Sequence, residues 1–391
     1  LAPRRLAICE AAGLVLAESV VSEVDSPPYD KTLMDGYAVV SGDRAIERTV
    51  IEEIGAGSLP RLAVTPGHVT RLMTGAPIPE GADAVVAIEK TEMVDDHTVR
   101  LHDLDAKPGQ HILHRGAAMR VGDTVLERGT RLRPIEIAIL AEVGHGMPLV
   151  YPRPTVAVLP TGNELVSVGE HLSLGQIRNS NGPMLVASAA RDGAIAAELP
   201  IADDDPSLLR ELIAKGLEAD VLVLSGGVSA GKFDLVPDVL GALDVRMVFH
   251  KIALRPGKPL WFGVKDNGER RVLVFGLPGN PVSSLVCYEL FVRPTIAALS
   301  GRGFVGGATA RAKLSHDFSY KGGRASCLPA RLSHGPAIKS PPAGESLPTV
   351  EILPWQGSAD LAALGGANAL VRLGTEPSRF PAGAVVEVLR V

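Results

Sequence analysis

The sequence predicts a multi-domain fold of α/β plus β class, and three features predict it. Residues 151–301 alternate short continuous apolar runs with helical segments, the pattern of a central parallel sheet covered on both faces. Residues 21–112 lose helical periodicity and read as short β-branched pieces between turn clusters. After Gly301 the helical signal vanishes, and roughly six strand candidates between Gly/Pro turns describe a separate all-β domain. At 391 residues the chain is long enough for about two to four domains.

Taken in order, residues 7–20, "AICEAAGLVLAESV", carry a helix-like apolar pattern broken by Gly13. Strands are expected at Thr49–Ile54, Val69–Met73, Ala84–Ile88 and His97–Leu101. Residues 131–144 read as a helix, with Pro134 near the start and Gly144 at the stop. From 151 onward "TVAVLP", "VLVLSGG" and "VLVFGLPG" are buried-strand runs that each end in a glycine- or proline-rich bend. Helices are expected between them at Met184–Arg191, Pro206–Gly216 and Leu235–Leu243. Residues 335–348 read as a loop.

Composition excludes several classes. Hydrophobic residues at 46% and charged residues at 21% describe a soluble globular protein. The net charge of −5 and the absence of a long Lys/Arg block argue against nucleic acid or anionic lipid as partner. Cys9, Cys287 and Cys327 lie far apart with no CxxC pair, which disfavours a zinc site or disulfide framework and suits a reducing compartment. No run reaches the ~18–20 apolar residues of a membrane span. The chain opens on Leu1 rather than Met, so the lack of a leader segment carries no weight.

Three strand-end bends carry the candidate chemistry: Pro160–Glu164 ("PTGNE"), Ser225–Asp234 ("SGGVSAGKFD") and Gly276–Ser284 ("GLPGNPVSS"). Each offers small residues where backbone can approach a ligand, at the carboxyl ends of parallel strands. Each leads toward an expected helix start, where unpaired N–H groups favour anions. Gly226, Gly227, Ser229, Pro278, Gly279, Asn280, Pro281 and Ser283 are the candidate ligand contacts. Turn and cap chemistry is the competing account: Thr161 and Glu164 also fit a capping box, and Asp205-Pro206 fits a helix cap. Lys251, Arg255 and Lys258 add cations in "HKIALRPGKPLWFG". Glu164, Asp203, Asp204, Asp205 and Asp234 add carboxylates of the kind a Mg²⁺ bridging phosphates requires. The sum describes a phosphorylated, nucleotide-bearing substrate. A P-loop kinase or Rossmann enzyme is disfavoured, because neither GxxxxGK[ST] nor a strand-linked GxGxxG is present. The histidines, His111, His114 and His250 among them, show no metal spacing.

The motifs "SPPYDKTLMDGYA" (26–38), "RLMTGAPIPEGADAVV" (71–86), "PTGNEL" (160–165), "SGGVSAGKFD" (225–234), "RPGKP" (255–259) and "GLPGNPVSS" (276–284) occur in this order. They are followed by "WQGSADL" and "ANALV". Together they resemble the molybdopterin molybdenumtransferase family, of the MoeA and gephyrin E-domain type. The resemblance implies a split helical domain (1–20 and 113–150) carrying an inserted β-rich domain (21–112). It further implies an α/β molybdopterin-binding domain (151–301) and a C-terminal β-barrel (302–391). The implied reaction is Mg²⁺-dependent insertion of molybdate into adenylylated molybdopterin with release of AMP. A cytoplasmic homodimer with a cleft shared between subunits, and an upstream molybdopterin adenylyltransferase, are implied with it.

Carried over by position, Glu164, Asp204, Asp205 and Asp234 fall where the family holds metal and pyrophosphate, with Asp234 also the natural base. Arg255, Lys258, Ser283 and Ser358 fall where it handles molybdate and the pterin phosphate. Asp35 and Thr74 fall where the partner subunit closes the cleft. The chain departs from the family at Ala117-Ala118, where Glu-Asp is usual, and at Lys232, where glutamate is usual. Pro329 stands where many members carry arginine, and ungapped reading brings neither Arg324 nor Arg331 to that place. These departures define an alternative: a diverged paralogue that binds molybdopterin or serves as a scaffold without efficient metal insertion.

Overall fold

The computed structural model describes residues 1–203, 205–228, 235–268, 270–303, 309–333 and 347–391. The chain divides into two compact units, Arg5–Leu149 and Val150–Val391, the latter joined by Leu1–Arg4.

The first unit is built on a six-stranded sheet of Gly36–Val39 (β1), Glu47–Ile54 (β2), His68–Leu72 (β3), Ala84–Ala87 (β4), Thr91–Asp95 (β5) and Thr98–Leu101 (β6). Their order is β4-β1-β3-β2-β6-β5. Both faces bury apolar side chains. Tyr37, Val39, Val69, Val86 and Val99 pack on one side; Ala38, Ile54, Leu72 and Val85 pack on the other. This is the two-residue period of a strand used twice. Pro134–Glu142 forms helix α1 with proline at its first position, and Gly144 ends it at φ +75°.

The expected helix over 7–20 does not form. Ala7–Ala11 make only turns, with Glu10 N–H donating to Ala7 O and Ala11 N–H to Ile8 O. Gly13 then reverses the chain at φ +81°. Beyond it, Leu14 O accepts from Leu132 N–H, while Leu16 N–H donates to Thr130 O. The buried run Val15–Leu16 is strand, not helix. A short helical start interrupted by a left-handed glycine has too few bonds to offset its nucleation.

The second unit opens with an α/β layer. Its elements are Thr155–Pro160 (β7), Asn181–Arg191 (α2), Ile195–Glu198 (β8), Pro206–Gly216 (α3), Val221–Ser225 (β9), Val236–Ala242 (α4), Arg246–His250 (β10), Trp261–Asn267 (β11) and Arg270–Leu277 (β12). The sheet order is β8-β7-β9-β12-β11-β10. The first four strands are parallel, as expected, while β11 and β10 extend the sheet antiparallel. Alternation again sets the packing. Val156, Val158, Val221, Val223 and Phe275 face α2 and the helix after β12. Ala157, Leu159, Leu222, Leu224 and Val274 face α3 and α4.

After β12 the chain runs as one helix, Pro281–Cys287 (α5), a π turn Tyr288–Val292, and Arg293–Leu299 (α6). The whole, Pro281–Leu299, is 19 residues with mean hydropathy 1.3, long and apolar enough to cross a membrane by composition, but 67% of it is buried in the protein core. That length was not expected from the sequence. Glu289 in the π turn is fully buried and accepts from Arg191 at 2.6 Å and Arg293 at 2.7 Å.

The barrel follows: Thr309–Leu314 (β13), Ala325–Leu332 (β14), Thr349–Ile352 (β15), Leu361–Gly365 (α7), Ala369–Leu373 (β16) and Val385–Arg390 (β17). The order β14-β15-β13-β17-β16 closes through β14–β16 pairing, which removes open edges. The two-residue strand Leu254–Arg255 joins β14 from outside, placing Arg255 beside Ser326. Cys287 on α5 and Cys327 on β14 are both buried thiols, whereas Cys9 is exposed.

Candidate active-site cleft

The three strand-end bends, the second over residues 225–228, meet above β7, β9 and β12. Thr161 N–H donates to Ser225 O at 3.0 Å, and Gly226 N–H to Leu277 O at 3.1 Å. Gly226 and Gly227 sit at φ +98° and +62°. A Cβ on Gly226 would lie 2.4 Å from Thr161 O, and one on Gly227 would lie 2.7 Å from Thr161 Oγ1. Only glycine allows the second bend to nest against the first. Above them opens a cavity of about 750 Å³, lined by Thr161, Glu164, Gly226, Gly227, Gly279 and Asn280 among others. The first bend does not lead into a helix: Leu165–Val166 pairs in parallel with Ile177–Arg178. Thr161 and Glu164 are therefore no capping box.

A second cavity of about 500 Å³ adjoins it, and both are lined by Pro259, Pro278 and Asn280. Arg255, Lys258, Ser283, Arg324, Trp355 and Ser358 line the second one. Asn280 Nδ2 donates to Ser358 Oγ at 3.0 Å, and Val282 N–H to Ser358 O at 3.1 Å. These bonds tie the α/β layer to the segment before α7. Ser284 faces away, fully buried in the core. Three guanidinium or ammonium groups, two hydroxyls and an indole make this cavity suited to a compact oxyanion.

Two family profiles cover most of the chain. "MoeA N-terminal region (domain I and II)" matches residues 1–144, and "Probable molybdopterin binding domain" matches residues 157–298. A molybdopterin molybdenumtransferase of Staphylococcus epidermidis is 34% identical over 388 residues, covering 97% of this chain and 89% of that protein. The Staphylococcus aureus protein of the same name is 34% identical, covering 96% and 88%. This chain belongs to the MoeA family of molybdopterin molybdenumtransferases. Its place is therefore in molybdenum cofactor biosynthesis. Among solved structures, a molybdopterin biosynthesis MoeA protein of Pyrococcus horikoshii superposes with TM-score 0.80 at 31% identity, covering 99% of this chain and 94% of that one. A second structure from that organism gives 0.74 at 28% identity.

Within this MoeA fold the expected acidic set is only partly visible. Glu164 lines the larger cavity. Asp205 caps α3 instead, its Oδ1 accepting from Leu208 N–H at 2.8 Å, and Asp203 is exposed beside it. Asp204, Ser229, Lys232 and Asp234 lie outside the described residues. Among the described residues no group of three or more His, Cys, Asp or Glu is placed to hold a metal ion. Glu164 alone is too small a donor set for Mg²⁺, which takes octahedral oxygen coordination.

Arg324 is the residue that sequence reading left undecided. It lines the oxyanion cavity, with Nη1 donating to Leu254 O at 3.3 Å. Arg331 is held elsewhere, bonded to Gly366 O, and Pro329 is buried in β14. Trp355 and Gln356 entered only as part of the "WQGSADL" motif and not as site residues, and the Arg178–Asn181 stretch beside the larger cavity was not anticipated. Lys251 does not line either cavity among the described residues.

In the MoeA N-terminal region, Asp35 and Thr74 form a pair within the first unit. Thr74 Oγ1 and Thr74 N–H both donate to Asp35 Oδ1, each at 2.7 Å. The hydroxyl, then the amide, hold the Asp35 carboxyl below the ordinary carboxylate range. Ala117 and Ala118 occupy an exposed turn, their N–H groups donating to His114 O and Ser26 O.

Proposed function

We propose that this protein inserts molybdate into adenylylated molybdopterin, in a Mg²⁺-dependent reaction that releases AMP. The observation carrying this reading is the pair of adjoining cavities that share Asn280. The larger, floored by glycine bends at strand ends, suits the extended pterin adenylate with its phosphates. The smaller, with Arg255, Lys258 and Arg324 around Ser283 and Ser358, suits the tetrahedral dianion MoO₄²⁻. Held side by side, the two substrates need no further diffusion to meet. Fixed cations also stabilise charge as the phosphoanhydride opens to water.

Asp234 is proposed as metal ligand or base, with Glu164, Asp204 and Asp205 completing the Mg²⁺ set. For Asp205, the role requires leaving or sharing its α3 cap. Asp35 and Thr74 belong to the same reading as residues that close the cleft from a partner subunit of a cytoplasmic homodimer. An adenylyltransferase would supply the substrate.

The test is turnover. Purified protein is incubated with adenylylated molybdopterin, molybdate and Mg²⁺, and AMP is followed. Molybdate-dependent AMP release that EDTA abolishes is expected. Tight pterin binding without AMP release would replace the enzyme with a binding paralogue, and failure to bind any pterin would remove both.

A further inference from the structure

Asn181 opens α2 and is 8% exposed. Its Nδ2 donates to Ser225 Oγ at 2.9 Å, at the end of β9, and to Gly279 O at 2.7 Å, in the bend after β12. A carbonyl oxygen only accepts, so the Gly279 contact fixes which way the amide faces. Asn181 Oδ1 is buried without a partner among the described residues. An apolar side chain here would spare the unmet Oδ1 but take the donor from Ser225 Oγ and Gly279 O, so the amide is present for what its nitrogen does.

What it does follows from peptide geometry. The Gly279–Asn280 bond is trans, and across a trans peptide the C=O and the next N–H point to opposite sides. Drawing Gly279 O inward turns Asn280 N–H outward, on the side where Asn280 lines both cavities. Pro278 and Pro281 have no N–H, so this bend has few main-chain donors to offer. Asn280 N–H has no acceptor among the described residues.

We infer that Asn181 is a positioning residue that locks the Gly279–Asn280 peptide so that Asn280 N–H donates to a phosphate oxygen of the bound nucleotide. The inference rests on the proposed adenylate-binding function. Asn181 borders the larger cavity, and the effect assigned to it passes through one peptide plane.

Calorimetric binding of AMP and of adenosine separates this role from a merely structural one. Asn181→Ala is expected to weaken AMP by about tenfold or more, the worth of a hydrogen bond to a charged oxygen, and to leave adenosine unchanged. Asn181→Asp, which sets a carboxylate against Gly279 O, is expected to lose at least as much. Equal weakening of both ligands, or none for AMP, overturns the inference while leaving the functional reading in place. If the wild-type protein binds no AMP, both fall together. Should Asn181→Ala fail to fold, amide exchange of the wild-type protein decides: protection of Asn280 N–H by AMP but not adenosine supports the inference, and any other pattern overturns it.

Discussion

Asn280 donates its side-chain amide to the Ser358 hydroxyl across 3.0 Å, so the bend that ends β12 is tied to the segment entering α7. Both residues line the cation-rich cavity. Asn280→Ala and Ser358→Ala are each expected to raise the KM for molybdate by about tenfold. The double variant should cost less than the two single changes multiplied, because the residues share one bond. Strictly multiplicative effects would mean that the tie plays no part in holding the anion.

The three cations of that cavity give a second expectation. Arg255→Ala, Lys258→Ala and Arg324→Ala should each weaken molybdate by about tenfold or more, and the loss should shrink as ionic strength rises. Arg331→Ala should leave molybdate affinity unchanged, since Arg331 bonds Gly366 O instead. Titration of molybdate binding at two salt concentrations tests the set. An inert Arg324→Ala would return the missing arginine to the status of an uncompensated loss.

Glu289 predicts a stability effect independent of chemistry. Glu289 itself is fully buried, while its partners Arg191 and Arg293 reach solvent and also pair with Asp192. Glu289→Ala, which removes two charge-assisted hydrogen bonds without stranding either arginine, should destabilise the protein by about 1.5–3 kcal/mol, read from the midpoint of urea unfolding. A loss below about 1 kcal/mol, the scale of a surface pair, would show that water reaches the site.

Acid sensitivity follows from Glu136 at the start of α1. Hydrogen bonds from the Arg133 side chain, then its backbone N–H, hold the Glu136 carboxyl down at about 2. An unfolded glutamate titrates near about 4.3. A depressed carboxyl adds stability that is present above the unfolded value and lost as pH falls through the folded one. The stability gap between wild type and Arg133→Ala should therefore be full at neutral pH and close as pH drops from about 4 toward about 2. A gap constant across that window would contradict the pairing.

How much of this was legible beforehand depends on where the information resides. Helix α3 was read to the residue, because Asp205 as cap and Pro206 at the first position are local signals. The parallel strands were equally plain, since burial on both faces demands continuous apolar runs. Residues 7–20 failed because a helix-like pattern says nothing of where Leu16 N–H and Leu14 O find partners. The antiparallel pair β10 and β11 was missed for a similar reason: Trp261–Asn267 has no period that separates parallel from antiparallel pairing.

At the site, glycine and proline at strand ends marked the bends well. Arg324 was invisible to ungapped reading because pairing of Arg255 with Ser326, between separate layers of the fold, brings it to the cavity. Asn181 escaped because it begins a helix instead of ending a strand, so nothing beside it in sequence names Gly279 as its partner.

The buried thiols have a practical consequence. Burial pushes the Cys287 thiol far up and Cys327 up to about 11, and Cys287 Sγ sits 3.7 Å from Gly257 O, beneath the turn that carries Lys258. In the native protein a maleimide should therefore find Cys9 alone. Each further label would then mark a moment when helix α5 parts from the barrel wall, making alkylation kinetics a clock for the opening of that seam.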